Sequence, residues 1–143
     1  MVGDFSNAEP ELFGYRIWKV PHTNNEYINC LATYSTSSMQ LLAAGTEYGD
    51  ITVWDFTTGT PIISRTGVHI GEITALSFYV INKQQVLVSG GEDGVLYFST
   101  TELHLMFSIE IGSPIRAIDL YDTNHLAVGT RMGVIMVKIN SIL

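Results

Sequence analysis

Four histidines and one pair of adjacent carboxylates are the side chains of this sequence with types suited to metal or acid–base chemistry. The histidines stand at positions 22, 69, 104 and 125, and they do not have the spacing of metal ligands. Glu92 and Asp93 share a predicted turn, where an aspartate is better explained as an acceptor of backbone N–H groups than as a catalytic acid. The sequence also contains no Gly-x-Ser-x-Gly nucleophile motif and no Gly-x-x-x-x-Gly-Lys phosphate loop. We therefore expect no enzymatic activity, no cofactor and no metal.

Composition and charge limit the kinds of partner. The chain has 143 residues, of which 46% are hydrophobic and 15% charged, as in a globular domain with a buried core. Its formal net charge of -7 argues against binding to nucleic acid or to anionic membranes. No apolar run reaches the roughly 18 residues of a membrane span, so no membrane insertion is expected. With one cysteine, Cys30, and no signal peptide, the sequence is typical of a cytoplasmic protein.

Three segments of the chain repeat one pattern of glycines and apolar strands. In each, an apolar stretch ends in a glycine, and a second glycine follows four residues later, where a hairpin turn favours positive φ. The glycine pairs are Gly45 with Gly49, Gly90 with Gly94, and Gly129 with Gly133. An apolar strand follows each pair, and a matching upstream strand begins at Ile28, Ile73 or Ile115. Because the glycines and the apolar strands agree at several matching positions of the three segments, a structural repeat is the simplest interpretation.

A further strand precedes each unit, at residues 15–20, 61–65 and 104–109. The sequence therefore predicts three units of four short strands, and it has no helical periodicity of any length. The strands are nearly continuous apolar runs, which indicates that both faces of each sheet are covered. Sheets stacked on one another meet that requirement, and an isolated antiparallel sheet does not.

From residue 13 to residue 143 this pattern resembles the WD40-repeat family. The clearest stretch, residues 44–55, ends in the Trp54–Asp55 pair, and the second unit carries a Ser-Gly…Asp-Gly turn. The resemblance implies an all-β fold, a partial β-propeller of three four-stranded antiparallel WD40-type blades. Its approximate repeats are 13–57, 58–101 and 102–143, after a flexible N-terminal segment at 1–12.

The resemblance also implies a structural hydrogen-bond network of histidine, serine or threonine, aspartate and tryptophan. The second unit offers three of these residues but has Ser99 at the tryptophan position. The first unit has Tyr48 at the aspartate position, and the third has Met132 and Lys138 at the aspartate and tryptophan positions. No unit holds a complete network. The residues expected to be structural are His69, Ser89, Asp93, Trp54, Asp55, Gly49, Gly94 and Gly133.

One turn per blade is expected on the rim with which this family commonly binds proteins or peptides. The matching positions are Glu47, Tyr48, Glu92, Asp93, Arg131 and Met132. Tyr, Met and Arg are enriched in protein interfaces. We expect a non-catalytic scaffold that mediates protein–protein interaction. The alternative is a purely structural role, as the C-terminal propeller blades of a large BEACH-type trafficking protein or another scaffold.

Three blades do not make a ring, because propellers close with about four to eight. The two end faces would each exceed the few hundred Å² of apolar patch that a monomer usually exposes. Other propeller blades are therefore expected as partners. They could come from the same chain in a longer protein, from a second copy in a homodimer, or from another chain.

Overall fold

The computed structural model describes residues 14, 15, 17, 19, 20 and 26–140, and these form eleven β-strands without a helix. The all-β prediction is confirmed. The segment expected to be flexible at 1–12 lies outside the described residues. A strand was expected at 15–20, but residues 15, 17, 19 and 20, which are described, do not belong to a strand. In the described part of the chain, no helix is long and apolar enough to cross a membrane.

The strands form three antiparallel sheets, each in chain order. The first sheet contains β1 (Ile28–Ser35), β2 (Gln40–Thr46), β3 (Ile51–Asp55) and β4 (Thr60–Arg65). The second contains β5 (Ile73–Ile81), β6 (Gln84–Gly91), β7 (Val95–Ser99) and β8 (Leu105–Glu110). The third contains β9 (Ile115–Asp122), β10 (His125–Thr130) and β11 (Gly133–Lys138).

Each sheet is offset by one strand from the sequence repeat. The strands that open the second and third repeats, β4 and β8, pair with β3 and β7 of the preceding sheet. The third sheet has three strands in the described part of the chain, because only Ile139 and Asn140 are described after β11.

The expected positive-φ glycines lie in the turns that follow β2 and β6 and at the first residue of β11. Gly49 has φ 87°, Gly94 has φ 74° and Gly133 has φ 130°. A Cβ atom at Gly49 would overlap the carbonyl oxygen of His69, so the turn can press against the next segment only with glycine there.

The third of these turns is shorter than the first two, and this corrects one sequence assignment. Thr130 pairs with Gly133, which leaves only two residues between β10 and β11. Leu126 consequently lies opposite Val137, just as Leu42 lies opposite Trp54. Val137, and not Lys138, therefore takes the place of the tryptophan in the third sheet.

The sheets stack side by side through their first strands. β5 contacts β1 and β2 of the first sheet, and β9 contacts β5 and β6 of the second. Leu41, Val53 and Phe78 belong to the core between the first and second sheets. Val88, Phe98 and Leu126 belong to the core between the second and third sheets, so both faces of the second sheet are covered. This is the packing of successive propeller blades.

An isoleucine on a glycine is the contact that repeats between neighbouring sheets. A Cβ atom at Gly45 would lie 2.7 Å from Ile73 Cγ2, and one at Gly90 would lie 2.8 Å from Ile115 Cγ2. The first glycine of each pair is therefore a socket, and the isoleucine that begins the first strand of the next sheet is the knob seated on it. Glycine is required at these two sockets because the isoleucine side chain of the next sheet fills the space that a Cβ atom would take.

Candidate protein interface

The turns after β2, β6 and β10, with the segments that connect one sheet to the next, lie at one edge of the sheets, which we call the rim. Two of these turns are bonded to the connecting segments. The carbonyl of Gly49 accepts the amides of Val68 and His69 at 2.8 and 3.2 Å. The carbonyl of Gly94 accepts the amides of Ile111 and Gly112 at 2.8 and 3.3 Å. Each of these two turns is thus tied to the segment that leads into the next sheet.

A buried hydrogen-bond network fixes the middle of the rim, as the family resemblance implied for His69, Ser89 and Asp93. His69 Nδ1 lies 2.9 Å from Asp93 Oδ1, and His69 Nε2 lies 2.8 Å from Ser89 Oγ. A carboxylate can only accept, so Nδ1 carries the ring proton and Nε2 accepts from the serine hydroxyl. Burial lowers the pKa of His69 below its ordinary value and so favours the neutral ring. Asp93 acts in the opposite direction, but its effect is smaller than that of burial.

The same three residues are bonded in the order of a Ser–His–Asp catalytic triad, but His69 and Ser89 are buried. Ser89 is only 1% exposed, so a substrate cannot reach its hydroxyl. Asp93 instead accepts the backbone amides of Ile70 and Val95 at 3.0 and 3.2 Å. The network therefore ties the connecting segment before β5 to the turn after β6.

Tyr97 is the member of this cluster that the sequence analysis missed. Its ring meets His69 edge-on with 4.7 Å between centroids. The signal was available in the strand pattern, because Tyr97 lies directly opposite Ser89 in the register of β6 and β7.

Threonines take over the turn bonding in the first and third sheets, where the network is incomplete. Thr46 Oγ1 accepts the amides of Tyr48 and Asp50 at 3.3 and 3.1 Å. Thr130 Oγ1 likewise accepts the amide of Met132 at 3.0 Å. Each threonine directly follows the first glycine of its pair, which is a sequence signal for a hydroxyl-capped turn.

The remaining residues expected to be structural lie in the first sheet and in the glycine turns. Trp54 is buried, and Asp55 Oδ1 accepts the amide of Thr57 at 2.9 Å in the turn after β3. Gly94 packs against the backbone of Ser113 in the next connecting segment. Among the described residues, no group of three or more His, Cys, Asp or Glu side chains could hold a metal ion.

The structure divides the predicted docking residues into two groups. Tyr48, Arg131 and Met132 are exposed on the rim. Asp93 is committed to His69, whereas Glu92 remains partly exposed in an ion pair with Arg116 of the third sheet at 3.3 Å.

Glu47 and Ile70 complete the description of the rim. Glu47 is partly exposed, and its carboxylate lies 3.3 Å from the amide of Tyr27. Ile70, in the connecting segment, is the most exposed large apolar residue of the rim, and the sequence analysis did not identify it.

Comparisons with known proteins agree with the stacked sheets. No protein-family model matches the chain. Protein NEDD1 from Homo sapiens and its counterpart from Bos taurus are each 24% identical over 113 residues, which is 78% of this chain and 17% of the relative. The chain thus spans under a fifth of the length of these relatives. The β-propeller domain of Cps50 (Swd1) from Myceliophteria thermophila superposes with a TM-score of 0.66 at 17% identity, over 85% of this chain and 38% of that one.

Proposed function

We propose that this chain, which is built of WD40-type β-propeller blades, is a non-catalytic scaffold that docks a protein partner on its rim. The observation that carries the proposal is the exposure of three large apolar side chains on three different rim segments. Tyr48 is 66% exposed, Ile70 86% and Met132 82%. Side chains of this size at one edge are typical anchors of a protein interface.

The charges beside these anchors indicate the chemistry of the partner. Glu47 is next to Tyr48, and Glu72 lies on the same segment as Ile70, whereas the exposed Arg131 is next to Met132. Glu92, in the turn after β6, pairs with Arg116. With a net charge of -7, the chain attracts basic segments at long range. We expect a protein or peptide partner that presents apolar side chains flanked by Lys or Arg.

The non-catalytic part of the proposal is supported by the burial of Ser89 and His69. Catalysis needs a nucleophile that a substrate can reach, and this hydroxyl is enclosed by its own sheet and the connecting segment. A cytoplasmic location is part of the proposal. Its support is that Cys30 is a free thiol, as is usual in a reducing compartment.

A rim variant tests the docking surface. In it Tyr48→Ser, Ile70→Ser and Met132→Ser remove the apolar anchors without touching the core. The matched control is Val80→Ser with Leu105→Ser, which changes two exposed apolar residues away from the rim. Proteins that crosslink to the wild-type chain in cell extract are identified, produced in pure form and titrated against all three chains.

We expect at least one protein to bind the wild type and the control equally and the rim variant at least about tenfold more weakly, because each lost anchor of this kind costs over about 1 kcal/mol. Equal binding to all three chains would contradict docking on the rim. Failure to recover any direct binder would favour the purely structural alternative, blades of a BEACH-type or other scaffold.

A further inference from the structure

A cleft of about 230 Å³ lies between the end of the first sheet and the last two strands of the second. β4 and the segment after it form one side, and β7, β8 and the turn between them form the other. Its lining is mostly apolar and includes Arg65, Val68, Tyr97, Ser99, Leu103 and Leu105. Pockets that enclose a whole small-molecule ligand measure roughly 300–1,000 Å³, so this cleft suits a single large side chain.

The register of the strands relates the cleft to a tryptophan position. Ser99 lies opposite Leu87 in the second sheet, as Trp54 lies opposite Leu42 in the first. Trp54 is buried, so the first sheet accommodates an indole at this position. The second sheet has a much smaller side chain at the equivalent position, and that side chain lines the cleft.

The hydroxyl of Ser99 is available to a group that enters the cleft. Phe98 belongs to the core shared with the third sheet, and successive side chains of a strand point to opposite faces, so Ser99 faces the first sheet. It is only 5% exposed, yet its hydroxyl has no hydrogen-bond partner among the described residues. Because buried polar groups are almost always bonded, this hydroxyl marks a place where a ligand donates or accepts.

Arg65, the last residue of β4, places a positive charge at the side of the cleft. Its side chain is exposed and forms no ion pair within the part of the chain that the structure describes. A guanidinium binds a carboxylate through two parallel hydrogen bonds, so a ligand that carries a carboxylate is favoured over a cationic one.

We infer that the cleft binds a tryptophan side chain of a protein partner, in a segment where an acidic residue adjoins that tryptophan. The indole takes the place in the second sheet that Trp54 holds in the first. Its N–H, which can only donate, bonds Ser99 Oγ, and its ring packs on Tyr97 and Leu105. The adjacent carboxylate pairs with Arg65. This acidic segment differs from the basic one expected on the rim, so the cleft is a second site.

The capped dipeptide acetyl-Trp-Glu-amide is the probe that tests this inference, titrated into the isotope-labelled full chain and followed by amide chemical shifts. We expect saturable shifts in residues 65–68 and 97–105, with a dissociation constant on the order of 1 mM, as for a ligand that buries one side chain. Acetyl-Ala-Glu-amide should bind at least about tenfold more weakly, because it lacks the aromatic ring. Acetyl-Trp-Lys-amide should also bind more weakly than the probe, because Arg65 repels its ammonium group.

Two variants change the cleft itself. Ser99→Trp places an indole of the chain's own in the cleft, so it should weaken probe binding at least about tenfold and leave the urea midpoint of unfolding unchanged or raised. Ser37→Trp, in the exposed turn between β1 and β2, is the matched control and should bind the probe as the wild type does. Arg65→Gln should weaken binding of the probe and leave binding of acetyl-Trp-Gln-amide unchanged.

Cleft binding and rim docking are measured independently. The rim variant of the preceding section should bind the probe as the wild type does, and Ser99→Trp should keep the affinity for a rim partner. The rim control, which carries Leu105→Ser, should keep the rim partner and bind the probe more weakly.

The absence of saturable shifts, shifts confined to residues outside the cleft, or a Ser99→Trp chain that binds the probe as tightly as the wild type would overturn the inference. A Ser99→Trp chain that unfolds at lower urea than the wild type would also overturn it, because the cleft would then not fit an indole.

Discussion

Replacing Ser89 with alanine removes the hydroxyl that donates to His69 Nε2 across 2.8 Å. The imidazole keeps its bond to Asp93, but Nε2 then faces the interior of the second sheet without a donor. Both Ser89 and His69 are almost completely buried, so water does not replace the lost bond without a rearrangement of the core.

The expected cost follows from this burial. An acceptor left unsatisfied in the interior costs about 1–3 kcal/mol, which is more than the net value of an average hydrogen bond. If the free energy of unfolding decreases by about 1–3 kcal/mol per molar urea, the urea concentration at the unfolding midpoint should fall by roughly 1 M.

Urea unfolding at pH 7.5 and at one fixed protein concentration measures the effect. Ser35→Ala is the matched control, because its hydroxyl bonds Gln40 at 2.7 Å on the exposed end of β1. We expect the control to lose less than about 0.5 kcal/mol, as exposed substitutions do. If Ser89→Ala loses no more than Ser35→Ala, the network does not stabilise the rim, and the structural role assigned to His69 is refuted.

Three further predictions concern the core and its titration. Burial holds the pKa of His69 below its ordinary value of 6.5, so the unfolded chain binds a proton at this residue more readily than the folded chain does. The free energy of unfolding should therefore fall as the pH drops below about 6.5, by at most about 1.4 kcal/mol per pH unit. Urea unfolding at pH 7.5 and 5.5 should show this loss in the wild type and not in His69→Gln, and equal losses would contradict it. Gly90→Ala should cost about 1–3 kcal/mol by overpacking while Gly129→Ala costs nothing, and a similar loss at both positions by urea unfolding would argue against the knob-and-socket contact. Phe98→Ala should lower the free energy of unfolding by about 3–5 kcal/mol, because the ring is fully buried and stacks on Phe107 with 4.3 Å between ring centroids. Leu105→Ala, at an exposed position, should lower it by under about 1 kcal/mol, and thermal unfolding measures both.

The repeated positions of glycines and apolar runs predicted most of the strands, because strand and turn preferences depend on local sequence. Each glycine pair marks a hairpin turn, and the second glycine of each pair has the positive φ that the turn needs. The turn length was not fixed by the same spacing. Thr130 pairs with Gly133 in the third sheet, which makes its turn shorter than the glycine spacing suggests. The residue equivalent to Trp54 is therefore Val137, and not Lys138 as the sequence alignment of the units predicts.

The rim was less predictable because its side chains are placed by contacts between sheets. Ile70 lies in a connecting segment whose sequence does not repeat from unit to unit. It is held at the rim because its backbone amide donates a hydrogen bond to the carboxylate of Asp93, twenty-three residues away. Asp93 was expected both to dock a partner and to hold the turn. Only the geometry shows that its carboxylate is occupied by His69 and two backbone amides.

Hydrogen exchange on the chain with and without a partner recovered by the rim experiment tests the docking claim most directly. The account predicts slower exchange in the rim segments 46–50, 67–72 and 131–132 when the partner is bound. The turns at the opposite edge, 36–39 and 82–83, should exchange at unchanged rates. Slower exchange at the opposite edge with no change on the rim would contradict the account.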